Sequence, residues 1–244
     1  MEPTQPLLTR CLALTGAFET GKGAPECFSG LAGDFDGMGL SFGALQWNLG
    51  QKTLQPMIQE MLTSHAGVMS TIFGDGLNTV KYMLALPRAA QLEWALSIQN
   101  RLHHTVNEPW HSRFFALGQT EEFQAIQTAQ VESMYRTATE MCQRFGLSTE
   151  RAIALMFDIR VQNGTITSAV ESKIRADFHS LTSELPRLQS IANRRAEAAN
   201  PKFVEDVRTR KLTVANGKGT VHGIDYDLET QFGIRLVPIS DART

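Results

Sequence analysis

Apolar residues recur at three- and four-residue spacing along most of this chain, and the pattern fails where glycines crowd together. The first run is Leu7, Leu8, Cys11, Leu12, Thr15 and Phe18, one face of a helix that ends near Glu19, with Gly21 and Gly23 to stop it. Residues 24–50 then mix glycines with short alternations such as Leu40-Ser41-Phe42, which suit a loop and a small sheet. Helical patterns return at about 53–65, 76–84 and 88–104. The strongest stripe covers 120–145, from Phe123 and Ile126 through Val131, Met134, Tyr135, Ala138, Met141 and Cys142 to Phe145, closed by Gly146. Ser148 is the expected N-cap of the next helix, which Gly164 ends, and Thr167 opens another. Helices at 184–199 and 201–211 follow. The segment TVANGKGTVHGIDYDL then reads as a hairpin or ordered loop, with Asn216-Gly217 as its turn. The expectation is a predominantly α-helical α+β chain.

A chain of 244 residues, 42% hydrophobic, can bury a core of its own. A net charge of −2 argues against a general nucleic-acid binder. No apolar run approaches the roughly 18 residues of a membrane span. The start, MEPTQPLLTRC, lacks a basic region and a long apolar stretch, so the expectation is synthesis in the cytoplasm without a classical signal peptide. Three cysteines, Cys11, Cys27 and Cys142, suit buried free thiols better than a disulfide framework.

The chemistry concentrates in Glu19 and in the segment Gly33–Asn48, GDFDGMGLSFGALQWN. Glu19 closes an apolar helix, where the negative end of the dipole disfavours a carboxylate and partial burial beside Phe18 would act the same way. A carboxyl kept protonated suits a general acid. Asp34 and Asp36 lie among glycines, where a solvated, ionised carboxylate is expected. One protonated and one ionised carboxyl facing each other is the arrangement of glycoside hydrolysis. The plainer reading makes both aspartates turn formers.

The run Asp36-Gly37-Met38-Gly39-Leu40-Ser41-Phe42-Gly43 resembles the D-G-x-G-x-[ST]-x-G segment of chitosanase-type glycoside hydrolases (family 46-like), members of the lysozyme superfamily, whose catalytic Glu ends the first long helix. Phe157–Gly164, FDIRVQNG, is similar to a helical segment of the same family, while GLSFGALQWNLGQ and RRAEAANPKFVEDVRTRK look like bacterial peptidoglycan-degrading muramidase domains. The resemblance implies a lysozyme-like two-lobed fold in a single catalytic domain over 1–244: a small lobe with the β element at about 20–52, a helical lobe at about 53–211, and a C-terminal hairpin or loop at 212–244. It would also suit the C-terminal domain of a longer protein. It makes Glu19 the general acid, Asp36 the general base with Asp34 as the alternative, and Ser41 the hydroxyl that positions the attacking water, and it implies inversion. Met38 replaces a basic residue frequent in chitosanases, which weakens any carry-over of substrate contacts.

Past the loop, Phe42, Gln46, Trp47 and Asn48 are substrate-binding candidates, an aromatic platform beside amides. Gln46 and Asn48 should share one face of a strand opposite Trp47, so either the indole or the amides line the site. Asp158 and Arg160 sit inside an apolar helix. A buried Asp158 needs a cation, and Arg194 or Arg195 is the expected partner, in a supporting role behind the site. The cluster His103–His111 fits no metal-ligand spacing, and Arg208-Thr209-Arg210-Lys211 reads as a solvated helix end. No metal or other cofactor is implied.

The leading expectation is therefore hydrolysis of the β-1,4 glycan backbone of peptidoglycan, as a muramidase. Its alternatives are a chitosanase and a non-catalytic glycan-binding module. A wall-acting chain of this kind would be delivered by a phage-type or secretion-system route such as type VI, as an antibacterial effector, and would call for an immunity protein as partner.

Overall fold

Helices carry most of the chain in this computed structural model, which describes residues 5–23 and 25–239. The first part runs α1 (Leu7–Thr20), a 3-10 turn (Glu26–Ser29), β1 (Leu31–Ala32), β2 (Ser41–Phe42) and β3 (Trp47–Asn48). Then come α2 (Gln55–Ser64), α3 (Ala66–Phe73), α4 (Leu77–Ala85), α5 (Arg88–Ser97), β4 (Gln99–Asn100), β5 (Thr105–Val106), α6 (Trp110–Gly118) and α7 (Glu121–Gln130). The remainder is α8 (Glu132–Phe145), α9 (Glu150–Asn163), α10 (Ser168–Phe178), α11 (Glu184–Glu197), α12 (Val204–Asn216), β6 (Lys218–Val221), β7 (Ile224–Asp227) and α13 (Leu228–Phe232). The α+β, helix-dominated class is the one the periodicity implies.

The chain divides into two compact units, residues 19–130 and residues 1–18 with 131–244. Helices α2 to α7 share a core with the glycine-rich segment, because Leu40, Phe42 and Leu49 pack among Met57, Ile58, Met61, Phe73, Phe114 and Phe123. Periodicity locates a helix but does not say which neighbour covers its apolar face.

In the unit 19–130, β1, β2 and β3 form an antiparallel sheet in that order. The register sets Leu31 opposite Phe42 and Ala32 opposite Ser41, with Ser41 in turn opposite Asn48. Phe42 stacks on Phe123 at 5.2 Å and meets Phe114 edge-on at 5.3 Å. The helix expected over 88–104 stops at Ser97, and β4 pairs with β5. Asn100 Oδ1 accepts the Leu102 and His103 N–H groups, and His104 takes φ 51°, so a local turn outcompetes further helix.

The second unit is built on α9, buried through Ile153–Ile159 and packed by α8 and α12, with α11 on α12 and α10 on α11. Thr149, rather than Ser148, caps α9: its Oγ1 accepts the Ala152 N–H at 3.2 Å. The long stripe at 120–145 is broken at Val131, because α7 buries Phe123 and Ile126 in one unit while α8 buries Ala138, Met141, Cys142 and Phe145 in the other. Helix α12 continues to Asn216, five residues beyond the expected end at 211, and Gly217 is its left-handed C-cap at φ 80°. A hairpin does follow, but its turn is His222-Gly223, with φ 51° and 80°. Asn-Gly serves a helix C-cap as well as a hairpin turn, since both need a residue at positive φ. All three cysteines are free and buried. Burial pushes the Cys27 thiol up to about 12 and raises Cys11 and Cys142 as well.

Candidate active site

Glu19 occupies the last turn of α1 and is exposed, while Phe18 before it is buried. One residue turns a helix by about 100°, so Phe18 faces inward, edge-on to Tyr226 at 4.9 Å and beneath the Arg210 guanidinium at 4.9 Å. The partial burial expected for Glu19 beside Phe18 is therefore absent. The next residue, Thr20, lies against Gly30, where a Cβ would collide with the threonine methyl. That contact seats the Glu19 turn beside β1, the strand paired with β2 and hence with Ser41.

The acidic loop is held from inside. Asp34 is half-buried: its N–H donates to Gln99 Oε1 at 2.6 Å, and its Oδ1 accepts the Gly39 N–H at 3.0 Å. Gly39 stands at φ 81°, a region that side chains disfavour. Asp36 is exposed, and its Oδ1 accepts the Met38 N–H at 3.1 Å in an Asx turn. Ser41 is buried in the middle strand, held between Ala32 and Asn48. The structure thus brings Glu19, Asp34, Asp36 and Ser41 into one unit, on the sheet and its flanking turns.

The four substrate-binding candidates fare differently. Phe42 is 0% exposed among Phe114 and Phe123, so its ring has no face to offer a sugar; it belongs to the core. Gln46 takes φ 54° and is not part of the strand with Asn48, so the expected alternation does not hold. Its Nε2 donates to the Gly30 and Gly43 carbonyls at 3.2 and 3.0 Å. Asn48 is buried, with Oδ1 accepting the Gln51 N–H at 2.8 Å. Each amide thus gives one of its groups to the loop's own backbone, and Trp47 is half-buried against the core.

Two glutamines that the sequence reading did not single out brace this region. Gln127 is fully buried in α7: Oε1 accepts the Ala44 N–H at 2.8 Å and Nε2 donates to the Phe28 carbonyl at 3.0 Å. Gln99 joins Asp34 to the Ala95 carbonyl. The available signal was an amide next to Ile126 in the apolar phase of α7. Packing accounts for two of the glycines. A Cβ on Gly43 would meet Gln127 Oε1 at 2.7 Å, and one on Gly39 would meet Leu92 at 2.8 Å. The protein's own groups crowd both positions.

In the other unit, Asp158 is fully buried in α9, and its partner is not Arg194 or Arg195. Arg210 donates to it through Nη2 at 2.7 Å and Nε at 3.1 Å, Lys211 Nζ bonds Oδ2, and Thr15 Oγ1 adds a bond at 3.2 Å. Burial works to raise this carboxyl's pKa, but the two cations outweigh it and hold it well below the usual range. Arg210 and Lys211 are therefore interior, and the solvated helix end expected at 208–211 is corrected: α12 runs on and turns both toward α9. Arg194 binds Asp177 and Glu197, whereas Arg195 has no hydrogen bond or ion pair among the described residues and its Nε is buried without a partner.

No family model and no curated protein sequence matches this chain. Solved structures do. A chitosanase complex aligns over 90% of this chain and 95% of its own, at 14% identity and a TM-score of 0.54. The native chitosanase of Bacillus subtilis MY002 covers 88% of this chain and 87% of its own, at 16% identity and a TM-score of 0.51. The family 46 chitosanase of Gynuella sunshinyii, in complex with chitotetraose, covers 91% and 97%, at 11% identity and a TM-score of 0.52. The chain shares the chitosanase fold.

Proposed function

We propose that this protein is a glycoside hydrolase that cleaves the β-1,4 backbone of peptidoglycan, with Glu19 as general acid and Asp36 as general base. The observation that carries this reading is the exposed carboxylate on the last turn of α1, seated through Thr20 beside a glycine-rich sheet edge that presents a second exposed carboxylate. Asp36 suits the base better than Asp34. Asp34 is half-buried and braces Gly39, whereas Asp36 is exposed and its Oδ2 has no partner among the described residues.

In this scheme Asp36 removes a proton from a water that attacks the anomeric carbon, and Glu19 protonates the departing glycosidic oxygen on the opposite face. Bond formation and cleavage on opposite faces invert the configuration, which calls for carboxyl groups roughly 6.5–9.5 Å apart. The Ser41 hydroxyl, in a strand fixed on both sides, orients the water, and Trp47 supplies the aromatic surface. The chain then acts at the cell wall after delivery by a phage-type or secretion-system route. Chitosan is the second substrate reading, favoured by the chitosanase identity of the similar solved structures, one of them bound to chitotetraose.

Purified protein should release reducing ends from labelled peptidoglycan. Glu19→Gln and Asp36→Asn should each lower kcat by at least about 100-fold, the usual weight of a general acid or base. Activity on neither polymer would refute the hydrolase reading. Release from chitosan alone would replace peptidoglycan as the substrate, and full activity in Asp36→Asn with loss in Asp34→Asn would move the base.

A further inference from the structure

Within the unit built on α9, a cavity of about 390 Å³ is lined by Gln162 and Asn163 at the end of α9, by Arg195 on α11, and by Asn200, Phe203 and Asp206. Its size suits a small ligand. Three of its polar side chains are already engaged. Gln162 Oε1 accepts from Lys211 Nζ at 2.6 Å, Asp206 Oδ1 meets His222 Nε2 at 2.7 Å, and Asn200 Oδ1 accepts the Lys202 N–H at 3.0 Å. Of the four side-chain atoms buried with no partner among the described residues, two belong to residues of this lining, Arg195 Nε and Asn163 Oδ1. Native interiors rarely leave such atoms unsatisfied.

The contrast among the nearby arginines is chemical. Arg194 takes Asp177 and Glu197, Arg208 takes Glu205, and Arg210 takes Asp158, while Arg195 takes no acid among the described residues. Burial alone lowers its pKa, with no anion to offset it. Phe203, half of it exposed, lies at the same cavity, with the Lys202 ammonium 5.5 Å from its ring.

We propose that this cavity binds the carboxylate of an acidic glycan, with Arg195 holding the carboxylate and Asn163 accepting a hydroxyl or amide N–H of the same ligand. A guanidinium fork matches a carboxylate in two parallel bonds, and Phe203 offers an apolar ring to a sugar face. The inference rests on the peptidoglycan reading and deepens it. Peptidoglycan carries carboxylates on its peptide stems, and on the lactyl group of muramic acid wherever the stem has been removed, whereas chitosan carries ammonium groups that an unpaired guanidinium repels.

The test is calorimetric titration of the Glu19→Gln protein, which removes turnover. Its ligands are the N-acetylglucosamine–N-acetylmuramic acid disaccharide, the same disaccharide with its lactyl group amidated, a stem peptide, and a glucosamine dimer. The acidic disaccharide should bind best, and amidation or a further Arg195→Gln change should each weaken binding about tenfold or more. Asn163→Ala should weaken it by a smaller factor, and thermal unfolding should show both variants folded. Arg195-dependent binding of the stem peptide alone would support the site and assign the carboxylate to the stem. Equal binding of the acid and its amide, or binding indifferent to Arg195, overturns the proposal. The two readings separate cleanly. Wild type that hydrolyses neither polymer while Arg195-dependent binding persists removes the hydrolase and keeps the cavity. Peptidoglycan hydrolysis with KM unmoved by Arg195→Gln does the reverse.

Discussion

Asp158 shows how much one interior charge can organise. Its carboxylate sits among Arg210, Lys211 and Thr15 with no exposure of its own. Removing it takes the buried acid away from Arg210 and Lys211, so Asp158→Asn should cost about 3–5 kcal/mol in urea unfolding at pH 7. The pH dependence follows from the sign of the shift. The folded carboxyl titrates below the unfolded one, so in acid the unfolded chain binds the extra proton and stability falls with pH. The contribution is complete above an ordinary aspartate pKa of about 3.9 and is lost progressively below it. Asp177, drawn down to about 2 by hydrogen bonds from Arg194 and Ser190, adds in the same direction, weakened by solvent. Urea midpoints measured from pH 5 to pH 2 should fall steeply in wild type and less steeply in Asp158→Asn. The thiols give a second check at this scale. Burial and raised pKa values keep all three protonated, so a charged disulfide reagent at pH 8 should titrate them only after denaturation. Fast reaction of even one in the folded protein would contradict that.

Among the elements, the glycine-rich sheet depends on helices far along the chain. Gln127 of α7 closes both the Ala44 N–H and the Phe28 carbonyl, so Gln127→Leu strands two backbone groups at about 1–3 kcal/mol each. Because those groups flank β2, the variant should also lose hydrolytic activity beyond its loss of stability, measured at a temperature where it remains folded. Thr149→Ala tests a single cap and should cost about 1 kcal/mol. The misplaced hairpin turn belongs here as well. Asn216-Gly217 and His222-Gly223 both supply positive φ, and only the packing of α12 against α9 and α11 decides that the helix takes the first pair.

Across the whole molecule, two separately packed interiors share one chain. Hydrogen exchange should report them separately: Asp158→Asn should speed exchange first in α8, α9 and α12, and Gln127→Leu first in β1 to β3 and α7. Uniform loosening of both units by either substitution would show a single cooperative block instead. The similar solved structures span nearly the whole chain at 11–16% identity, so the fold persists with few shared residues. Cores tolerate wide substitution when volume and pattern are kept.

The sequence alone determined what local physics controls. Apolar spacing placed most of the helices, glycine caps ended α8 and α9, and the position of Glu19 at the end of α1 was legible because a helix terminus is set by residues a few places away. The D-G-x-G-x-S-x-G resemblance pointed to a chitosanase-type fold before any coordinates. Only the tertiary structure decided which face each element buries and against what. It put Phe42 in the core, turned Gln46 and Asn48 onto their own backbone, gave Asp158 to Arg210 and Lys211, and left Arg195 without an acid. Those outcomes hang on contacts between residues far apart in the sequence, such as Thr15 and Asp158, 143 positions apart. Periodicity has no reach over such distances, because it records that a side chain must be covered and not which partner covers it.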